Sequence, residues 1–401
     1  MMKKFLKIFL NELKTVFTDP GTSLIMVGGI FLYGLFYTLP FATDIVRDVP
    51  IAVVDFDNSK LSREFVKNLD ASEYVSVEYR AGNVKDAEKA YFEDKVKAFV
   101  VVPKDFERDI KRGGNSFVSL FNDSAFLISY KQVSTGVITC ATALGARLEA
   151  GIMMKKGVPA QKAINIKMPF EFVQNPLYNP SGSYMYYIYP LILILVLQQT
   201  MLVGGGLLAG TVCEKLRAVK FGRVSSRDVE FLKIFGENPY LTVFAKSCAY
   251  AGLYFVYAVI YFLLAAALLD FDPNADILGL FLILIPFLFS TACLAQVLTI
   301  FCRQRESSLF ILVVTSVPII FLPGFVWPKE NVPFLLQMFT KLIPADGGMN
   351  GLVEIGRMGA SFAGVFPEFL NLTALSFLYY FLAVKALKSA YKTCGTEVLN
   401  S

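Results

Sequence analysis

The chain has 401 residues, a formal net charge of +5, 55% hydrophobic residues and a mean hydropathy of +0.53. A soluble protein of this length would form about two or three domains, but so apolar a composition excludes that and requires lipid as part of the solvent. The absence of histidine removes the commonest metal ligand and general base, and basic residues sorted by loop, not gathered in one patch, argue against nucleic acid as a partner.

Residues 3–18 come first. They place Phe5, Phe9, Leu13 and Val16 at helical spacing with Lys7, Asn11, Lys14 and Thr18 opposite, predicting an amphipathic helix on the inner leaflet that is broken at Asp19, Pro20 and Gly21. Two readings of this arm stand: a basic anchor that sets topology, and a docking surface for a cytoplasmic partner. A helix rises about 1.5 Å per residue and the hydrocarbon core is roughly 30 Å thick, so spans should be runs of about 20 apolar residues. Runs at 22–40, 184–210, 247–269, 277–301, 307–327 and 369–387 meet that length. The first lacks a small-x-small cleavage site after Pro40 and is read as a retained anchor.

Between the first and second runs the charge density rises and short β-branched runs alternate with helical patterns. Strands are predicted at 51–55, 74–79, 98–102 and 117–121, and helices after Ser59, at 84–92 and at 104–111; a long helix from Ser124 to about Lys155 then returns to the membrane. Asp55, Asp57, Asn58 and Ser59 have the chemistry of a turn and helix cap more than of a cation loop, because no glycine-turned ligand set follows. Of the six cysteines only Cys140 falls in this region, so neither a disulfide framework nor a CxxC metal pair exists.

Lys and Arg keep short loops in the cytoplasm. The arm (Lys3, Lys4, Lys7, Lys14), the loop after the second run (Lys215, Arg217, Lys220, Arg223, Arg227, Lys233), Arg303 with Arg305, and Lys385, Lys388 and Lys392 all belong on that side, whereas Asp270, Asp272 and Asp276 mark an outer turn. Alternation then requires six spans with both termini inside. The segment 322–368, rich in Pro and Gly, is read as a bent, partly re-entrant outer hairpin with an amphipathic piece at Leu335, Leu336 and Phe339. The predicted fold class is an α-helical polytopic membrane protein with six transmembrane helices and an inserted α/β extracytoplasmic domain. Its predicted parts are an amphipathic helix (1–21), a first span (22–40), the outside domain (41–183), a five-helix region (184–390) with a cytoplasmic loop at 211–243 and an outer hairpin at 323–368, and a cytoplasmic tail (391–401).

No GxxxxGK[ST] loop, HExxH or GxSxG motif occurs, so no phosphate loop of that kind, no catalytic residue and no metal site is predicted. Gly204, Gly205 and Gly206 lie inside a span and are read as close helix packing. The spans are nearly free of ionisable residues; Lys246 is placed close enough to the inner end to snorkel, and Gln198, Gln199 and Gln296 are the strong polar groups inside. Coupling to an ion gradient is therefore disfavoured, and the energy is expected from another subunit. The tyrosines at the outer mouth (184, 186, 187, 189) and at 250, 254, 257 and 261 on one helix face suit either a path for greasy molecules or interfacial belts and packing.

Three stretches, taken together, resemble the permease subunit of type-2 ATP-binding-cassette exporters with a large extracytoplasmic domain. These are Asn175, Pro176 and Asn179 followed by Pro190 and the Gln198–Gln199 pair; Phe325, Pro328 and Pro333 followed by Leu342, Pro344, Gly351 and Gly359; and IAVVDFDNSKLSREFVKNLD at the opening of the outside domain. After the second span Glu214, Lys215, Leu216 and Arg217 stand where the family usually reads ERExGT(L/M)E, and a longer, more basic continuation departs from it. The resemblance implies a cytoplasmic ATPase partner that uses ATP and Mg, a second permease (identical or paralogous), a periplasmic adaptor, and an amphiphilic, lipid-like or drug-like cargo moved out across a bacterial inner membrane; this chain itself binds no cofactor. It implies ATPase coupling through Lys7, Lys14, Glu214, Lys215 and Arg217, a cargo path past Asn175, Asn179, Tyr187, Gln198, Gln199, Tyr254 and Tyr257, and an outer hairpin shaped by Pro328, Pro333 and Pro344. The competing class is a membrane-anchored receptor or scaffold that presents the outside domain.

Overall fold

The computed structural model describes residues 1–38, 46–112, 114–155, 157, 159, 177–179, 183–219, 226–268, 276–298, short stretches between 305 and 325, and 327–394. About half of the predicted fifth span (307–327) lies outside them, as do Asn175, Pro176, Lys220, Arg223, Asp270, Asp272 and the tail beyond 394. The chain divides into two compact units, Met1–Ala42 with Leu177–Ser401, and Thr43–Pro176.

The first unit begins with α1 (Met2–Thr18), which stops at Asp19 because Asp19 is extended (φ −82°, ψ 117°) and Pro20 follows. The Asp19 carboxylate then accepts the Thr22 N–H at 2.9 Å and caps α2 (Pro20–Ser23). A π-helical stretch (Leu24–Gly29) leads into α3 (Ile30–Thr38), and the chain bends by 82° between α1 and Pro20–Gly34. Numbering through the second unit, the remaining helices here are α8 (Tyr184–Val219), α9 (Ser226–Glu237), α10 (Pro239–Leu268), α11 (Ile277–Val297), α12 (Phe334–Thr340), α13 (Pro344–Gly356) and α14 (Phe366–Cys394).

Five described helices are long and apolar enough to cross a membrane, or six if the bent pair at the N-terminus counts as one, which makes the chain a polytopic membrane protein. One of the five, Leu127–Met154, belongs to the second unit. The most apolar stretch of α8 is nearly all buried, and α11 packs on α8, α10, α13 and α14. As predicted from Gly204 and Gly205, small residues set the spacing: a Cβ on Gly204 would lie 2.1 Å from Met26 Cγ, and one on Gly205 2.7 Å from Ala295 Cβ.

Two expectations for this unit gain detail. Of the arm's expected apolar face, Val16 is buried and Phe5 packs beside the buried cluster, and the centre of the protein-facing side is Ile8 with Glu12, packed along α10, while Leu6, Leu10 and Phe17 are exposed. The hairpin is more regular than its prolines and glycines suggested. Pro328 precedes a 3-10 turn (Lys329–Asn331), Pro333 precedes α12 and Pro344 opens α13, positions where a missing N–H costs nothing. Helix α12 exposes Phe334, Leu335, Met338 and Phe339, whereas α13 is buried almost along its whole length among α8, α11 and α14.

The second unit holds a four-stranded sheet in the order β2 (Val75–Ala81), β1 (Val49–Asp55), β3 (Ala98–Val102), β4 (Ser119–Asn122), with β1 parallel to both neighbours and β4 antiparallel. Side chains alternate across it. Ile51, Val53, Val100 and Val102 pack with α4 (Lys60–Asp70), α6 (Phe106–Lys111) and α7 (Leu127–Lys155), and Ala52, Val54 and Phe99 pack with α5 (Val84–Phe92). Asp55 plays the expected turn role, accepting the Asp57 and Asn58 N–H groups at 3.0 Å each and the Ser62 hydroxyl at 2.7 Å, while Ser59 caps α4.

Candidate functional site

Charged residues from distant parts of the first unit converge at the end of the bundle that carries the arm. Along α1, Lys4 pairs with Glu237 and Lys7 with Glu230, each at 2.7 Å, which ties the arm to α9. One turn on, Glu12 and Lys246 are both buried and stand 3.2 Å apart; Tyr250 donates its hydroxyl to Glu12, and the Lys246 ammonium lies 4.5 Å from the Phe235 ring centre. At the end of α1 the Arg305 guanidinium grips Asp19 with two bonds of 2.7 and 2.8 Å, and the Arg305 N–H donates to Glu214 at 3.2 Å. Ile8, Leu216, Leu232, Phe235, Val243, Val384 and Leu387 form the apolar floor, and Tyr391 of α14 donates to the Leu232 carbonyl at 2.7 Å. A cavity of about 140 Å³ opens here, lined by Glu12, Thr15, Lys215 and Lys246 among others.

Of the predicted coupling residues, the structure brings Lys7, Glu214 and Lys215 into this cluster; Lys14 and Arg217 point out, exposed. Lys246 was expected to snorkel and does not: its buried ammonium is held by Glu12, because the arm covers the route to water. Glu12, Asp19, Glu230 and Glu237 were missed as members. The clue in Glu12 was a lone acid on the same face as Ile8 and Val16.

Asp19 lies at the break before the first span. Burial alone would raise its pKa, but the Arg305 bonds and the Thr22 N–H and hydroxyl outweigh burial and hold it at about 2, below its ordinary 3.8. A depressed carboxylate stabilises the fold in full above its unfolded value and loses that effect as pH falls through its folded value. We therefore expect the stability difference between wild type and Asp19→Asn, measured by thermal unfolding in detergent, to be constant above about pH 4 and to shrink between there and about pH 2.

The predicted cargo-path residues fall in two places. Tyr254 donates to Thr200 Oγ1 at 3.1 Å, and Tyr257 packs edge-on against Phe31 and Tyr254 with centroids 5.7 and 5.5 Å apart. With Tyr250 on Glu12 and Tyr261 donating to the Ile30 carbonyl at 2.5 Å, this stripe stitches α10 to its neighbours. Gln198 is fully buried, and neither end of its amide has a partner among the described residues; Gln199 is buried beside it, and Gln296 donates to Ser247 Oγ at 2.7 Å.

At the opposite end of α8, Asn179 and Ser183 shape the helix start: Asn179 Oδ1 accepts the Ser183 N–H at 3.1 Å, and Ser183 Oγ accepts the Tyr186 N–H at 2.8 Å. Tyr187 donates to the Phe325 carbonyl, joining α8 to the hairpin. Asp346 of α13, almost wholly buried, pairs with Lys341 at 3.0 Å, and Asn350 bridges the Asp346 carbonyl (2.7 Å) to the Lys329 ammonium (2.9 Å). Among the described residues no group of three or more His, Cys, Asp or Glu side chains could hold a metal ion.

A family model described as ABC-2 family transporter protein matches residues 21–385. No curated protein and no solved structure matches the chain.

Proposed function

We propose, because this chain belongs to the ABC-2 family of transporter proteins, that it is the membrane-spanning permease of an exporter moving an amphiphilic, lipid-like or drug-like cargo outward. Family membership makes it a transport permease and implies an ABC ATPase as its partner. In our reading ATP and Mg act in that ATPase, a second permease completes the pair, the sheet-bearing unit stands outside the cell membrane where it can meet an adaptor, and both termini are cytoplasmic. The positive-inside rule supports the last point, since the basic arm, Lys215, Arg217 and Arg305 come from one end of the bundle.

The arm-end network carries this reading. It ties the arm to α9, to α10 and to the Arg305 turn through separate charge pairs, so a displacement imposed from the cytoplasm moves several helices as one body. A nucleotide-dependent partner that favours one arrangement of that body would shift the permease between conformations. Lys7 and Glu230 are both exposed, so their pair contributes at most about 1 kcal/mol and can be altered without unfolding the chain. Lys7→Glu is expected to weaken copurification of the ATPase about two- to fivefold, and adding Glu230→Lys to restore it. If the intact chain retains no ATPase from its native cells, the reading fails, and a scaffold role for the sheet-bearing unit takes its place.

A further inference from the structure

Two cations in the first unit are buried to a similar depth, and they are treated differently. Lys246 is 8% exposed and has Glu12 at 3.2 Å; Arg357, just past α13, is 9% exposed and has no carboxylate within ion-pair distance among the described residues. Its guanidinium carbon lies 4.6 Å from the Tyr186 ring centre and 5.6 Å from that of Tyr187, and it donates one bond of 3.1 Å to the Tyr187 carbonyl. Its Nε is buried without a partner among the described residues. Glu354, the nearest acid on the helix that precedes it, forms no ion pair with it among the described residues and lies in the field of Lys329, Lys341 and Glu368, and Asp346 is taken by Lys341.

Two ring faces, one carbonyl and the Tyr186 hydroxyl offset part of the desolvation of a guanidinium, but none of them brings a carboxylate to balance its charge. An arginine fork held by planar rings is the geometry that receives a phosphate or carboxylate through two parallel bonds. We infer that Arg357, held between Tyr186 and Tyr187, is a subsite for the anionic group of an amphiphile at the hairpin end of the bundle. This rests on the exporter reading for its cargo and narrows it to molecules with an acidic head; the same chemistry would also take the phosphate of a bilayer lipid.

Trp327, the single tryptophan, lies two residues from Phe325, whose carbonyl accepts the Tyr187 hydroxyl, so its emission reports on this end of the bundle. Dodecyl phosphate titrated into the purified full chain is expected to change that emission saturably, and at concentrations well below those at which dodecyl maltoside or dodecyltrimethylammonium act. Arg357→Gln is expected to weaken dodecyl phosphate about tenfold to a hundredfold while leaving the response to dodecyl maltoside unchanged; Arg357→Lys should recover part of the loss. In nanodiscs, phosphatidylglycerol that competes with dodecyl phosphate assigns the site to a lipid head, and an affinity indifferent to phosphatidylglycerol assigns it to cargo. Equal wild-type affinity for the anionic and neutral amphiphiles overturns the subsite whether or not the variants fold, as does full binding by Arg357→Gln. Because no ATPase is present in these titrations, failure of the exporter reading would show separately, as absence of ATP-driven movement in the reconstituted complex.

Discussion

Lys246→Met is expected to cost about 3–5 kcal/mol of stability, because it leaves the Glu12 carboxylate buried with the Tyr250 hydroxyl and no cation. Thermal unfolding in detergent, or the fraction recovered as a monodisperse species, measures it. The double replacement Glu12→Met with Lys246→Met should recover most of that loss, since apolar side chains of similar volume commonly replace a buried ion pair at little net cost; the residual deficit of roughly 1–2 kcal/mol comes from the orphaned Tyr250 hydroxyl. Function should not follow stability. The pair fixes the register of α1 on α10, so the double variant is expected to fold, keep its ATPase and yet transport poorly. A double variant that transports at the wild-type rate would sink the view that the arm moves α10 through this contact.

The sheet-bearing unit was the most legible part of the chain, because it obeys the rules of soluble proteins. The alternation of Ile51 and Val53 against Ala52 and Val54 divides the two faces of β1, and the predicted 84–92 and 98–102 elements have the bounds the structure gives them. Inside a bilayer the same logic weakens, because side chains that face lipid are as apolar as those that face protein. On α1 hydrophobicity found Val16 and Phe5, which pack on protein, but passed over Glu12, which is buried with Lys246. A polar residue within an apolar stripe was the better guide. Glu12 and the hydroxyls of Tyr250, Tyr254 and Tyr261 all mark helix contacts, and the tyrosine stripe bonds between helices at three of its four members. Arg357 escaped notice because its significance lies in what is missing around it, which only three-dimensional neighbours reveal.

The hairpin offers the second large effect. Helix α13 reaches its buried position because Gly347, Gly348 and Gly351 let its backbone approach three other helices. A Cβ on Gly348 would lie 2.9 Å from Phe287 Cδ2 and 3.2 Å from Ile194 Cγ2, and one on Gly351 2.7 Å from Ile283 Cδ1. Phe287 and Ile194 are fully buried, so neither can turn away into solvent. Helix propensity favours replacing glycine by a few tenths of a kcal/mol or more, whereas overpacking a tight core costs about 1–3 kcal/mol and occasionally more; for Gly348→Val the second effect wins. Gly145 in α7 has nothing within 4 Å of a built Cβ, and there Gly145→Ala should instead stabilise by about 0.5–1 kcal/mol. Opposite signs at the two glycines are the expected result in detergent unfolding. Gly348→Val should also shift Trp327 emission and weaken dodecyl phosphate binding, because displacing α13 carries Arg357 away from Tyr186 and Tyr187. If Gly348→Val unfolds like wild type and leaves Trp327 unmoved, α13 is not wedged among α8, α11 and α14 as described, and the anionic subsite loses its support.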